Sequence, residues 1–309
     1  MPLPAETTKQ LQDASIRVQH DANLARRSWW KAGGKADGLL TVKTLDQLCA
    51  ARRIASDTHC PLFVLGNGSN LLISDLGIRG MVVKLSGALA SIESSEGPLP
   101  RIVVGAGARL QTLVKQAGER GWCGLERLAG VPGTMGGAVR MNAGTHYGEV
   151  VDILVSCEVV TRTGAVRTFQ RDELGLRYRQ SQLPDGAIVA TATLQTLDEP
   201  TEDLVARIEH HLNYRATTQP IDVPTCGSTF RNPPDDKAGR LIEACGLKGH
   251  RIGGAEVSRK HANFLVNTGD ATATDLRQLI EHVQTTVLAQ TGVELHREVH
   301  FAGDWSGWC

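Results

Sequence analysis

Two stretches of this 309-residue chain gather glycine and small polar residues as a phosphate cradle would. The first, Gly66-Asn67-Gly68-Ser69-Asn70-Leu71-Leu72-Ile73-Ser74-Asp75, directly follows the apolar run Leu62 to Leu65. Small residues there let a ring or phosphate reach the backbone, and successive N–H groups can form an anion-binding concavity. The second is Gly130-Val131-Pro132-Gly133-Thr134-Met135-Gly136-Gly137-Ala138, continuing through Met141-Asn142-Ala143-Gly144. It is expected to present bare N–H groups at a helix start, where the helix dipole also favours a pyrophosphate. Neither matches a phosphate signature by spacing: Gly66 and Gly68 lack the third glycine of G-x-G-x-x-G, as do Gly105 and Gly107. No G-K-[ST] follows a glycine run, which disfavours a P-loop kinase. Either loop alone reads equally well as an ordinary turn, but two in one domain, each adjoining a buried strand, favour a nucleotide-type cofactor.

Other chemistries are poorly supplied. The seven cysteines, Cys49, Cys60, Cys123, Cys157, Cys226, Cys245 and Cys309, are odd in number, widely spaced and without a C-x-x-C pair. That argues against a disulfide framework or structural zinc and fits a reducing compartment. The ten histidines contain no H-E-x-x-H, so no metal is expected. The 33 basic and 33 acidic side chains cancel, so no global field draws the chain to nucleic acid or an anionic membrane. Arg26-Arg27 and Arg52-Arg53 read as solvated helix or loop faces. No run of about 18 apolar residues suggests a membrane span, and residues 1–13 do not read as a signal peptide. A cytoplasmic protein is expected.

The elements that must position these loops are mixed. Leu62 to Leu65, Met81 to Leu85, Ile102 to Val104, Val151 to Val160 and Ala187 to Leu194 read as strands. Leu110, Leu113, Val114 and Ala117 predict a helix over Arg109 to Arg120 with one buried face. Thr201 to Tyr214 carries Leu204, Ile208 and Leu212 at helical spacing, and Thr218 to Pro224 reads as an extended connector. Thr272 and Asp275 make a capping-box-like start to a helix striped by Leu276, Leu279, Ile280, Val283 and Val287. Leu295 to Phe301 reads as a final strand. A composition shift over Leu197 to Glu202 divides a larger body from a smaller α+β unit.

Taken together, the loops resemble the UDP-N-acetylenolpyruvoylglucosamine reductase family, in its shorter subtype. The likeness begins at Lys31-Ala32-Gly33-Gly34-Lys35-Ala36-Asp37, continues through both glycine loops, and includes Tyr178-Arg179-Gln180-Ser181. Its most specific part is carboxy-terminal: Gln219-Pro220, Gly227-Ser228-Thr229-Phe230-Arg231-Asn232-Pro233, Ala238 to Glu243, Lys260-His261-Ala262-Asn263-Phe264 and Glu298-Val299. The resemblance implies an α+β fold: a two-lobed FAD-binding body of the PCMH type, with lobes over residues 1–75 and 76–200, then a substrate-binding domain over 201–309. It implies non-covalent FAD, held by Gly66, Asn67, Gly68, Ser69, Asn70, Gly130, Pro132, Gly133, Thr134, Gly136, Gly137, Ala138, Asn142 and Gly144, with NADPH as co-substrate. Trp29-Trp30-Lys31, Thr218 and Arg231 depart from the family pattern, the last two at positions tied to nucleotide phosphates.

The chemistry so implied is reduction of an enolpyruvyl group on a nucleotide sugar. NADPH reduces FAD, hydride passes to C3 of the enolpyruvyl group, and a proton is added at C2. Charge developing on the adjoining carboxylate needs a cation, and C2 needs an acid. The resemblance assigns these roles to Arg179 and Ser228, with Glu298 polarising the carboxylate, its own pKa raised by the nearby negative charge. Tyr178, Arg231, Asn232 and Lys260 are expected substrate contacts, His261 a structural hydrogen-bonding residue, and Cys226 a packing residue. A monomer is expected. Two other readings remain open: a flavoprotein oxidase of the same broad fold, and a non-catalytic nucleotide-sugar binding module.

Overall fold

The computed structural model describes residues 2–95, 101–198 and 200–306; Glu199 of the expected boundary and Cys309 lie outside the described residues. Seven α-helices are described: α1 (Ala5–Asp13), α2 (Leu45–Asp57), α3 (Leu110–Arg120), α4 (Met135–Met141), α5 (Thr201–Thr218), α6 (Ala238–Ala244) and α7 (Ala273–Thr291). The chain forms two compact units. One comprises Met1–His20, Asp37–Asn67 and Gly80–Asn213, the other Asp21–Ala36, Gly68–Arg79 and Tyr214–Cys309.

The first unit contains two larger sheets and, among its described residues, two small two-stranded ones. A four-stranded sheet has the order Arg17–Asn23, Lys35–Val42, Ile78–Leu85, Leu62–Val64; the last two strands are parallel, with Leu62 opposite Met81. A five-stranded antiparallel sheet has the order Val166–Gln170, Leu154–Val160, Ile188–Gln195, Arg101–Gly105, Ile92–Ser94. One hydrophobic core joins them, from Leu3 and Leu11 through Val104 and Leu113 to Leu204. The stripe on α3 is buried as its spacing predicts, and the helix stops at Gly121, whose φ of 72° suits glycine at a helix end.

Some boundaries differ from the expected ones. The strand predicted from Val151 begins at Leu154, because Val150–Asp152 forms a single tight turn capped reciprocally by Glu149 and Asp152. The final strand is short, His300–Ala302. Thr218 closes α5 and so does not belong to the connector. Arg52 is not on a solvated face. It falls in the buried arc of α2 among Leu48, Cys49, Ala51 and Ile54, and its Nη2 donates to the Arg162 carbonyl at 3.3 Å. Burial, with Arg162 adding, pulls its guanidinium below the ordinary arginine range.

The second unit is built on an antiparallel sheet ordered Thr225–Ser228, Phe264–Asn267, Ala255–Val257, Arg251–Ile252. The α7 stripe is wholly buried against it, and each such side chain contributes about 1.5–3 kcal/mol. The predicted capping box is present, Thr272 accepting from Asp275 N. Asp75 adds a second cap, accepting from Ala273 N at 3.0 Å and from Thr274 N and Oγ1 at 2.8 Å. Strand Leu71–Ile73 runs parallel to His300–Ala302. Trp30, which departs from the family pattern, is fully buried in this unit's core and donates its indole N–H to Leu265 O at 2.8 Å.

Candidate active site

In the first unit Gly66, at the start of the first glycine loop, comes up against Thr134 of the second. An added Cβ at Gly66 would lie 2.8 Å from Thr134 Oγ1, so the close approach depends on glycine there. Gly130 and Gly133 take φ of 74° and 124°, conformations a side chain would strain. Gly136 is packed against Ala106, whereas an added Cβ at Gly137 would meet nothing nearer than Thr134 Oγ1 at 3.9 Å. This is a backbone-walled cradle, and it fits the flat rings and phosphates of a dinucleotide. Pro132 is half-buried in the same loop.

The helix start differs from its expected form. α4 has seven residues, and its first N–H groups are not bare: Met135 N donates to Ala108 O at 2.9 Å and Gly136 N to Ala106 O at 2.8 Å. The loop is thus stitched to the exit of strand Arg101–Gly105, which leaves less of the helix terminus for an anion. Ala138 is buried core. Gly144 allows the chain to fold back on Gly148, whose carbonyl an added Cβ would meet at 2.2 Å. Asn142, expected at the cofactor, is buried at a φ of 42° and fully engaged. Its Oδ1 accepts from Val151 N at 2.9 Å, and its Nδ2 donates to Glu149 Oε2 at 2.7 Å and Arg177 O at 3.3 Å.

Arg179 belongs to the same network. Tyr178 and Arg179 occupy a tight turn closed by reciprocal bonds between Arg177 and Gln180, both at 3.0 Å, and Arg179 takes a φ of 57°. Its Nη1 donates to Glu149 Oε1 at 3.1 Å and Asn142 O at 3.4 Å, and its Nη2 to Gly144 O at 3.2 Å. The Arg179 guanidinium also stands over the exposed Tyr178 ring at 4.7 Å. Arg179 is therefore an oriented cation, not a mobile surface one. Glu149, which orients it, carries no motif and is found only through the fold.

In the second unit Ser228 ends strand Thr225–Ser228 opposite Phe264, after a bulge at Gly227, whose φ is 79°. Glu298 precedes the last strand instead of lying on it. Its N–H donates to Thr229 O at 2.8 Å and its carbonyl accepts from Asn70 Nδ2 at 3.2 Å, which brings the Ser228 and Glu298 backbones side by side. Asn263 fixes that arrangement. Its carbonyl accepts from Thr229 N at 2.8 Å, its Oδ1 accepts from Phe230 N at 2.9 Å, and its Nδ2 donates to Phe230 O at 2.8 Å. The Lys-His-Ala-Asn-Phe run thus clamps the Gly-Ser-Thr-Phe-Arg-Asn-Pro run. A lone asparagine in an apolar stretch was the available signal, since a buried amide must find partners.

The other expected contacts are engaged locally. Asn232 Oδ1 accepts from Ala238 N at 3.1 Å at the start of α6, and Lys260 Nζ donates to Ala216 O at 2.6 Å near the end of α5. Arg231 N donates to His296 O at 2.9 Å, while its Nε is buried without a partner. Asn67 and Ser69 are half-buried; Gly68 must be glycine, because an added Cβ would meet Arg27 O at 2.2 Å. His261 Nδ1 accepts from Asn263 N at 3.2 Å, and burial lowers its pKa. Cys226 is buried and burial pushes its thiol up to about 12, so it packs and does not attack. Among the described residues no cluster of three or more His, Cys, Asp or Glu could hold a metal ion, and no helix is long and apolar enough to cross a membrane.

Residues 36–170 match the FAD binding domain family model, and residues 219–302 match the model for the UDP-N-acetylenolpyruvoylglucosamine reductase C-terminal domain. The chain is 42% identical to UDP-N-acetylenolpyruvoylglucosamine reductase of Paramagnetospirillum magneticum, over 93% of this chain and 92% of that one. It is 39% identical to the enzyme so named from Halalkalibacterium halodurans, over 97% and 98%. The solved structure of UDP-N-acetylenolpyruvylglucosamine reductase from Thermus caldophilus superposes with a TM-score of 0.81, at 38% identity, over 93% of this chain and 99% of that one.

Proposed function

The chain belongs to the UDP-N-acetylenolpyruvoylglucosamine reductase family, and from that premise we propose how its own residues carry out the family's reaction. The protein is an FAD-dependent oxidoreductase that uses NADPH to reduce UDP-N-acetylglucosamine enolpyruvate to UDP-N-acetylmuramate, in peptidoglycan precursor synthesis. Its fold is α+β, an FAD-binding body followed by a smaller substrate domain. The two larger sheets of the first unit support a reading as two flavin-binding lobes, the first including strand Ile78–Leu85.

FAD supplies the hydride when bound and reduced. Gly66, Gly68, Gly130, Gly133, Gly136 and Gly137 let its rings and phosphates reach the backbone, and Asn142 keeps the second loop in shape. Arg179, held by Glu149, stabilises the negative charge that develops on the substrate carboxylate. Ser228 gives its hydroxyl proton to C2 of the substrate, and Glu298 polarises the carboxylate. Lys260 and Asn232 act on substrate through the local structure they fix. The protein works as a monomer in the cytoplasm; the balanced charge and the six described free cysteines support this.

The observation that carries this reading is the oriented guanidinium of Arg179 in a chain matched along nearly its whole length by reductases. Anaerobic stopped-flow at the flavin's visible absorbance tests it. NADPH should bleach the protein, and the enolpyruvyl sugar should then restore the colour. Ser228→Ala should slow only the second phase, by about 10²–10⁴-fold. Recovery only on admitting oxygen would sink the proposal.

A further inference from the structure

Arg179 takes two of its acceptors from one small hairpin of the first unit. Strands Gly144–Thr145 and Gly148–Glu149 pair antiparallel, with Glu149 opposite Gly144. The Gly144 carbonyl accepts from Arg179 Nη2 and the Glu149 carboxylate from Nη1. A hairpin this short is not stable unaided. Its base is tied through Asn142, whose Oδ1 accepts from Val151 N, and through Asp152, whose Oδ2 accepts from Glu149 N at 2.8 Å. Its tip has anchors of its own. Thr145 Oγ1 donates to Arg127 O at 3.0 Å and accepts from Tyr147 N at 3.1 Å. Beside it the half-buried Tyr147 lays its ring flat on that of His211 in α5, the centroids 3.4 Å apart and the planes 12° from parallel. The His211 ring is itself fixed. It is buried, and its Nδ1 lies 3.1 Å from Glu126 O, which can only accept, so Nδ1–H is the donor. An aliphatic side chain could fill the space of Tyr147, but two rings in contact also set separation and tilt.

We propose that Tyr147, through its stack on His211, is a positioning residue for Arg179: it sets the hairpin tip, and with it the Gly144 carbonyl and Glu149 carboxylate that aim the guanidinium. This rests on the proposed function, in which Arg179 stabilises charge on the substrate carboxylate. The consequence is kinetic and selective. Loss of the stack leaves reduction of the flavin by NADPH unaffected and slows the step that needs an aimed cation, because a misplaced group loses much of its effect on the transition state.

Flavin-loaded wild type, Tyr147→Leu and Tyr147→Phe are compared by anaerobic stopped-flow, reading the rate of reoxidation by the enolpyruvyl sugar relative to the rate of bleaching by NADPH. Tyr147→Leu should lower that ratio by about threefold or more, the size expected for a lost ring stack, and Tyr147→Phe, which keeps the ring, should restore it. Combined with Arg179→Ala, Tyr147→Leu should change the ratio by less than about threefold, since no guanidinium is left to aim. A smaller fall than about threefold in Tyr147→Leu alone, or an equal fall with and without Arg179, would overturn the role and leave the stack as packing. Should Tyr147→Leu fail to fold, His211→Leu, alone and with Arg179→Ala, decides on the same criterion. Failure of the proposed function shows separately, as a wild-type protein whose reduced flavin the enolpyruvyl sugar does not reoxidise.

Discussion

Glu149 Oε1 lies 3.1 Å from Arg179 Nη1, and its other carboxylate oxygen accepts from Asn142 Nδ2 at 2.7 Å. The two side chains are only 26% and 16% exposed, so the pair is not one that water readily screens. The turn holding Arg179 at positive φ costs energy that the reciprocal Arg177–Gln180 bonds offset. Glu149 is therefore a positioning residue. Glu149→Ala should cost about 1–3 kcal/mol of stability by leaving charged and amide donors unpaired. It should also slow flavin reoxidation by substrate while leaving bleaching by NADPH near wild type, with Glu149→Gln intermediate. Equal slowing of both phases would show that the residue only supports the fold.

Asn263 plays the corresponding part in the second unit. It is buried, and its amide holds both backbone groups of Phe230, two residues beyond Ser228. Asn263→Ala should strand a buried N–H and a buried carbonyl, costing about 2–5 kcal/mol. Urea unfolding measures that cost. In protein that still folds, the substrate-dependent phase should slow as in Ser228→Ala, though less. A stable variant with wild-type kinetics would remove Asn263 from any role in placing Ser228.

The approach of Gly66 to Thr134 gives a prediction with its own rescue. Gly66→Ala would drive a methyl to 2.8 Å from Thr134 Oγ1, so flavin retention should fall. Thr134→Ala in the same chain removes that oxygen and leaves an ordinary 3.9 Å contact to the Thr134 Cβ. The double variant should recover much of the lost affinity in a flavin titration. If Gly66→Ala alone binds FAD as the wild type does, the loops do not form the cradle.

The sequence was legible wherever one residue type answers to one local need. The stripes on α3 and α7, the Thr272–Asp275 capping box and both glycine loops belong to this class. Arg179, Ser228 and Glu298 stand out as candidates because their neighbours form long motifs. What was not legible depends on partners distant in the chain. Asp75 reads as the end of a ligand loop but caps α7, almost 200 positions later. Arg52 reads as solvated until Arg162 covers it. Glu149 and Asn263 look like ordinary polar residues until the fold brings up the groups they hold. The α4 terminus reads as an anion site, yet the carbonyls of Ala106 and Ala108 reach it first.

Buried thiols contribute to the protein's response to alkali, Cys226 and Cys157 most strongly. Burial pushes Cys226 up to about 12 and Cys157 up to about 11, from an ordinary value of 9.0. A raised thiol pKa means the native state keeps a proton that the unfolded chain releases above pH 9. Stability from this source is complete below that pH and declines as pH rises through 11 and 12, the unfolded state binding fewer protons throughout. Urea unfolding under reducing conditions should therefore show midpoints that fall from pH 9 to 11. Cys226→Ala should flatten that fall, and adding Cys157→Ala should flatten it further. In native protein near pH 8, a thiol reagent should label these two only as fast as the chain opens, whereas the partly exposed Cys123 and Cys245 should react sooner. An unchanged alkaline slope in the double variant would mean that other groups, not the buried thiols, govern the loss.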